Sequence, residues 1–131
     1  MATKIKSVSV IAARIVLGLI YFVFGLNFFL HFLPTPPSSG GLADAFLGGL
    51  FQSGYFFPML KVTELICGLM LVSGRFVPLA TVILAPIIIN IFMFHTFVDR
   101  SGFPVAVFLV LANIFIAYYY RDAYSGLLKS K

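Results

Sequence analysis

Four long apolar runs dominate the sequence, and each is about as long as a bilayer is thick. A helix needs roughly 20 residues to cross the hydrocarbon core of a membrane. The runs cover about residues 8–32, 55–74, 76–98 and 103–120. Because only internal hydrogen bonds satisfy a backbone in lipid, all four are predicted to be helices. Short connections after the second and third runs make those neighbours antiparallel. We therefore expect an all-α integral membrane protein, with residues 1–131 forming a single four-transmembrane-helix antiparallel bundle.

The connection between the first two runs is long and has two parts. Its first part, residues 34–41, is rich in proline, serine and glycine, which is typical of turns. Its second part, Leu42–Phe51, is apolar with Asp44 near its start, which predicts a short amphipathic helix. This helix is too short to span a membrane. We expect it to lie on the outer surface or to cap the bundle as a lid.

Composition supports a membrane class. Hydrophobic residues make up 61% of the chain and charged residues only 10%, and the mean hydropathy is +1.08. A soluble domain carries about 25% charged residues. The single cysteine, Cys67, lies in an apolar run, so the chain has neither an internal disulfide nor a C-x-x-C pair.

The net charge of +5 does not indicate a nucleic-acid partner, because the few basic residues lie at the ends of apolar runs. Arg14 lies near the end that carries most of them, and Arg100 lies at the opposite end. The basic residues at the first end are Lys4, Lys6, Arg75, Arg121, Lys129 and Lys131. The positive-inside rule then places both termini in the cytoplasm. We expect a multi-pass protein of a bacterial cytoplasmic (inner) membrane.

Six polar side chains are predicted to lie at similar depth in the outer half of the bundle. An ionisable group in the hydrocarbon costs about 3 kcal/mol, so such groups usually face the bundle interior. The six come as close pairs on three helices: Asn27 and His31, Lys61 and Glu64, and His95 and Asp99. This pattern predicts a ligand-binding site that opens towards lipid or the outer aqueous side, where histidine and glutamate side chains can exchange protons.

Structural interpretations of the same residues stand beside this one. Lys61 and Glu64 are three residues apart, so they can pair within one helix, and Lys61 can also extend its amine to the head groups. The two histidines fit structural hydrogen bonding near the interface equally well. No H-x-x-x-H or E-x-x-H spacing is present, so we predict no metal site. No phosphate loop, dinucleotide fingerprint or nucleophile elbow is present either, and catalytic residues stay unknown.

Four further positions are predicted to serve packing or secondary polar roles: Arg14, Gly68, Asn90 and Asn113. Amides in the middle of a membrane helix usually make interhelical hydrogen bonds, worth roughly 0.6–2 kcal/mol. Gly18 and Gly25 are seven residues apart on the helix face that carries Arg14, which favours close helix packing there.

Three segments carry a family resemblance. Arg14–Gly25, with glycine at positions 18 and 25, resembles the first helix of the DoxX-like membrane proteins. Glu64–Arg75, with its glutamate, two glycines and basic end, resembles the second helix of that family, and Phe76–His95 resembles the third helix of one bacterial subgroup. The resemblance implies a four-helix membrane bundle. The family is named after a subunit of a thiosulfate:quinone oxidoreductase, and similar proteins act as accessory or assembly factors. The fold is also similar to quinone-reducing bundles of the disulfide-forming pathway, whose cysteine pairs this chain lacks.

Three functional hypotheses follow. The first is an accessory or binding subunit for a lipid-soluble molecule such as a quinone, or for a larger membrane complex, without catalytic activity of its own. The second is a quinone-linked membrane oxidoreductase subunit, in which Glu64 and His95 manage protons. The third is a small proton-coupled transporter. No cofactor is evident from the sequence, and a quinone is the one candidate. The expected partners are the bilayer and a homo-oligomer or larger complex, with no nucleic acid.

Overall fold

The computed structural model describes residues 2–33 and 40–127, with side chains from Ser7 onward. Within these residues the chain is helical and contains no strand. The helices are α1 (Ala2–Leu30), α2 (Gly41–Gln52), α3 (Phe56–Ser73), α4 (Val77–Phe97) and α5 (Phe103–Tyr119). One 3-10 turn, Arg100–Gly102, precedes α5 and another, Arg121–Tyr124, follows it.

The four longer helices confirm the predicted all-α fold with four segments able to span a membrane. The segments Ser7–Leu30, Phe56–Ser73, Val77–Phe97 and Arg100–Tyr119 are each long and apolar enough to cross a membrane. The short predicted helix is present as α2. Residues 34–39 of the turn-rich segment, together with Lys129 and Lys131, lie outside the described residues, and so do the side chains of Lys4 and Lys6.

The spanning helices form a ring in the order α1, α3, α4, α5. Helix α1 packs on α3 and α5, and α4 packs on the same two helices from the other side. Leu17, Leu71, Leu84 and Ile116 are fully buried at the centre. Large apolar side chains also cover the outside of the ring, as expected for a surface that faces lipid.

The most extensive contact joins α1 and α3, and glycines bring their backbones together. A Cβ atom placed on Gly68 would lie 2.7 Å from the carbonyl oxygen of Gly18 and 2.9 Å from the amide nitrogen of Phe22. A Cβ atom on Gly25 would lie 2.9 Å from Leu65. Lipid provides no hydrophobic drive for helix association, so such close packing is a main source of bundle stability.

Polar contacts join α5 and the 3-10 turn that follows it to α4. The Thr81 hydroxyl donates to the carbonyl oxygen of Pro78 at 2.8 Å and contacts the hydroxyl of Tyr124. The side-chain amide of Asn113 on α5 donates to the carbonyl oxygen of Thr81 at 3.4 Å. Asn113 therefore makes an interhelical hydrogen bond of the kind that its sequence position suggests.

We expect Gly68→Ala to lower the thermal stability of the detergent-solubilised protein. The added methyl group meets backbone atoms of α1, so the two helices must move apart, at a cost of about 1–3 kcal/mol. Gly49→Ala is the matched control, because no atom lies within 4 Å of a Cβ there. It should be neutral or slightly stabilising, since alanine favours a helix. Equal melting curves for the two variants would contradict the proposed contact.

Candidate functional site

A cavity of about 450 Å³ lies between α2, α3 and α4. Its walls are mostly apolar, with Leu47 and Leu50 from α2, Leu60 from α3, and Ile87 from α4. The polar residues that line it are Lys61, Thr63, Glu64, Asn90 and His95. An apolar pocket with a few convergent polar groups is the usual form of a small-molecule site.

Lys61 and Glu64 form an ion pair on the α3 wall. The ammonium nitrogen of Lys61 lies 3.2 Å from Oε2 of Glu64, and this is the one salt bridge in the described part of the chain. The side chain of Glu64 is 5% exposed and that of Lys61 is 21% exposed. Glu64 shares the buried face of α3 with Cys67 and Gly68. The carboxylate is therefore more deeply buried than the ammonium group.

His95 on α4 is held by the connection to α5. Its Nδ1 lies 2.9 Å from the backbone carbonyl oxygen of Asp99. A carbonyl oxygen only accepts, so Nδ1 carries a proton and Nε2 of the neutral ring is left as an acceptor. The ring packs directly on Gly102, where a Cβ atom would overlap it. The imidazole is thus oriented by its neighbours before any ligand binds.

Asn90 lies on the same wall and is exposed. Its side-chain amide makes no hydrogen bond with the described residues, so it offers the cavity both donors and an acceptor. Pro86, one turn earlier, lines the cavity as well. Since proline has no amide hydrogen, the backbone hydrogen bond that would join this position to residue 82 is missing.

Helix α2 covers the cavity. The ring of Phe46 lies 5.6 Å from that of Phe94 on α4, and the ring of Phe51 lies 6.5 Å from that of Phe57 on α3, measured between ring centroids. Aromatic contacts therefore hold α2 to both helices beneath it. The structure therefore has α2 over the bundle, which is one of the two positions expected from the sequence.

The chain was compared with models of known protein families. A sequence model of the DoxX family matches residues 9–96.

The chain belongs to the DoxX family. The matched residues include all of α2 and α3 and nearly all of α4, and so every helix that lines the cavity. No curated protein and no solved structure matches the chain. Within residues 2–33 and 40–127 of this DoxX protein, no group of three or more histidine, cysteine or acidic residues is placed to hold a metal ion.

Three of the six candidate residues do not line the cavity. Asn27 accepts a hydrogen bond from the amide of Leu33 at 2.7 Å, so it closes the end of α1. His31 follows with a positive φ of 53° and is exposed. The carboxylate of Asp99 accepts from the amide and the hydroxyl of Ser101, at 3.1 and 2.8 Å. These three residues shape helix ends in this DoxX protein, whereas Lys61, Glu64 and His95 meet at the cavity.

The secondary positions are spread over the bundle. Asn90 joins the cavity, whereas Gly68 lies in the α1–α3 contact and Asn113 lies against α4. Arg14 lies against Gly74 at the end of α3. The sequence interpretation missed Tyr21, which is buried with no hydrogen-bond partner for its hydroxyl among the described residues. Tyr21 lies seven residues after Arg14, on the helix face of Gly18 and Gly25, and this spacing could have identified it.

We expect Lys61→Met to destabilise this DoxX protein by about 1.5–3 kcal/mol, because the buried carboxylate loses its charged donor. Adding Glu64→Leu should recover most of that loss, since an apolar pair of similar size replaces a buried ion pair well. Unfolding in detergent of the two single variants and the double variant measures the coupling. Arg100→Met, at an exposed cation, is the control. Additive effects of the two substitutions would contradict an energetic pair.

Proposed function

We propose that this DoxX protein is a binding or accessory subunit that holds the head group of a lipid-soluble molecule, such as a quinone, in the cavity under α2. The observation that carries the proposal is the combination of apolar walls with Lys61, Glu64, Asn90 and His95 in one cavity. A volume of about 450 Å³ suits a small ring compound, because ligand pockets usually span roughly 300–1,000 Å³.

The polar groups fit the chemistry of a quinone ring. Its two carbonyl oxygens need donors, and the ammonium group of Lys61 and the amide of Asn90 are donors that lie on different walls. The Nε2 atom of His95 is an acceptor for the hydroxyl of the reduced form. The rings of Phe46, Phe57 and Phe94 supply flat apolar surface for the ring itself.

A second candidate is a quinone-linked oxidoreductase subunit, and one observation favours it. Three side chains that exchange protons, those of Lys61, Glu64 and His95, line the same cavity. In this role they would exchange protons with the bound ring, while a partner protein of a larger membrane complex supplies the electrons. We rank this function second, because the sequence offers no motif for a redox centre of its own.

The proposed orientation has both termini in the cytoplasm of a bacterium and α2 on the outer side of the inner membrane. An even number of spans puts both ends of the chain on one side. Arg75 and Arg121 lie at that end and Arg100 lies at the other, which supports the orientation by the positive-inside rule. The ligand then enters from the outer leaflet or the outer aqueous side.

Filling the cavity should remove the bound molecule. We expect the gently solubilised wild-type protein to carry quinone that organic extraction and mass spectrometry detect. Ile87→Trp, which fills the cavity, and Asn90→Leu, which removes a donor, should lower the retained quinone about tenfold, equivalent to 1.4 kcal/mol.

Ile89→Trp is the matched control for this test. Ile89 lies on the same helix but faces outward and is 58% exposed. The Ile89→Trp variant should retain quinone at the wild-type level. A wild-type protein without quinone, or equal retention in Ile87→Trp and wild type, would rule out the proposed binding role.

The orientation has a separate test, which uses introduced cysteines. The native Cys67 is 1% exposed, so it should not react with a bulky thiol reagent. In cells with a permeabilised outer membrane, we expect a membrane-impermeant maleimide to label Ser53→Cys, between α2 and α3, but not Ser125→Cys, after α5. Disrupting the inner membrane should expose the second site. The reverse pattern would place the termini outside.

A further inference from the structure

The guanidinium group of Arg14 lies flat on the turn that ends α3. A Cβ atom at Gly74 would lie 3.1 Å from Cζ, 3.1 Å from Nη1 and 3.2 Å from Nη2. Nearly equal distances to these three atoms mean that the plane of the group faces the glycine. Gly74 has a φ of 80°, a backbone conformation that glycine adopts readily, and it has no side chain to obstruct the contact.

Arg14 has no acceptor for its hydrogen atoms in the described part of the chain. Its Nε atom is buried without a hydrogen-bond partner. Glu64 is already paired with Lys61, and no carboxylate among the described residues forms a salt bridge with Arg14. A guanidinium group has five N–H donors and always carries its charge. The residue as a whole is half-buried, and neither Nη1 nor Nη2 makes a hydrogen bond with the described residues, so both remain for a group from outside the chain.

The C-terminal end of α3 offers the guanidinium group of Arg14 only a partial negative charge. The carbonyl groups at a helix C-terminus carry roughly half a negative charge, which helps to hold a cation there. The carbonyl oxygen of Met70, however, already accepts from the amide of Gly74 at 3.0 Å and from the Ser73 hydroxyl at 3.3 Å. A full negative charge is therefore still missing beside Arg14.

The position along the bundle indicates the ligand. Arg14 lies level with the end of α3, where Arg75 and the connection to α4 begin, and not in the middle of a span. The Tyr118–Tyr120 segment and Arg121 end α5 on the same side of the bundle, as aromatic and basic residues do at a membrane interface. Phospholipid phosphates lie at this level. The planar fork of arginine matches two phosphate oxygens at once.

We propose that Arg14, presented on the Gly74 turn, is an anion site that binds a phosphate group at the end of the bundle where α3 and α5 end. An anionic phospholipid head group is the expected source, and free phosphate is the other source of the same chemistry. This site is separate from the cavity, so the result of its test does not depend on the proposed function.

The test uses the full chain in dodecyl maltoside, a neutral detergent. Native mass spectrometry compares the binding of dioleoylphosphatidylglycerol with that of dioleoylphosphatidylcholine, and a second series adds inorganic phosphate at constant ionic strength. We expect the wild-type protein to prefer the anionic lipid at least tenfold, and Arg14→Gln to lose that preference. Competition by inorganic phosphate would also support the site and identify free phosphate as a second source.

Arg121→Gln is the matched control, because Arg121 is an exposed cation at the same end and stacks on the ring of Tyr118 at 4.6 Å. It should keep the lipid preference. Arg14→Lys should keep the charge but bind more weakly, because an ammonium group lacks the planar fork. A wild-type protein that does not distinguish the two lipids overturns the proposal even if Arg14→Gln fails to fold. Equal loss in the Arg14→Gln and Arg121→Gln proteins overturns it as well, since general surface charge would then explain the binding.

Discussion

The contact between the backbones of α1 and α3 at Gly18 and Gly68 is the constraint on which the rest of the structure depends. Only glycine at both positions allows this approach, since any Cβ atom would meet a backbone atom of the other helix. Gly68 lies one turn after Glu64, so the contact also fixes how α3 is rotated about its axis. That rotation buries the carboxylate of Glu64 and directs Lys61 towards the space under α2.

The cavity follows from unequal packing on the two sides of α3. The contact of α3 with α1 is close and extensive, whereas its contact with α4 is much smaller. Beneath α2, the rings of Phe57 and Phe94 line the gap, and α2 covers it. The smaller contact between α3 and α4 leaves room for a ligand beside the closely packed pair of α1 and α3.

The sequence was sufficient to predict the helices, whereas three of its six candidate site residues lie outside the cavity. Long apolar runs identify membrane spans reliably, because length and the absence of charge are strong signals. These helices are apolar on nearly all sides, so periodicity does not reveal which face a polar residue occupies. Depth alone grouped Asn27, His31 and Asp99 with the cavity residues, although all three lie at helix ends.

The same limit explains Arg14 and α2. The contact of Arg14 with the Gly74 turn depends on how α1 packs beside the end of α3, and only the packing of the two helices shows that contact. The position of α2 over the cavity depends on contacts between aromatic rings far apart in sequence, such as those of Phe46 and Phe94. Neither relationship has a local sequence signal.

The central claim is that the space between α2, α3 and α4 holds the head group of a lipid-soluble molecule. Photolabelling of the membrane-embedded protein with an azido-quinone, followed by peptide mass spectrometry, tests it most directly. We predict that the label attaches within residues 56–64 and 86–95, which line the cavity, and that excess unlabelled quinone prevents this. Label spread over the lipid-facing sides of α1 and α5, unaffected by competing quinone, would contradict the claim.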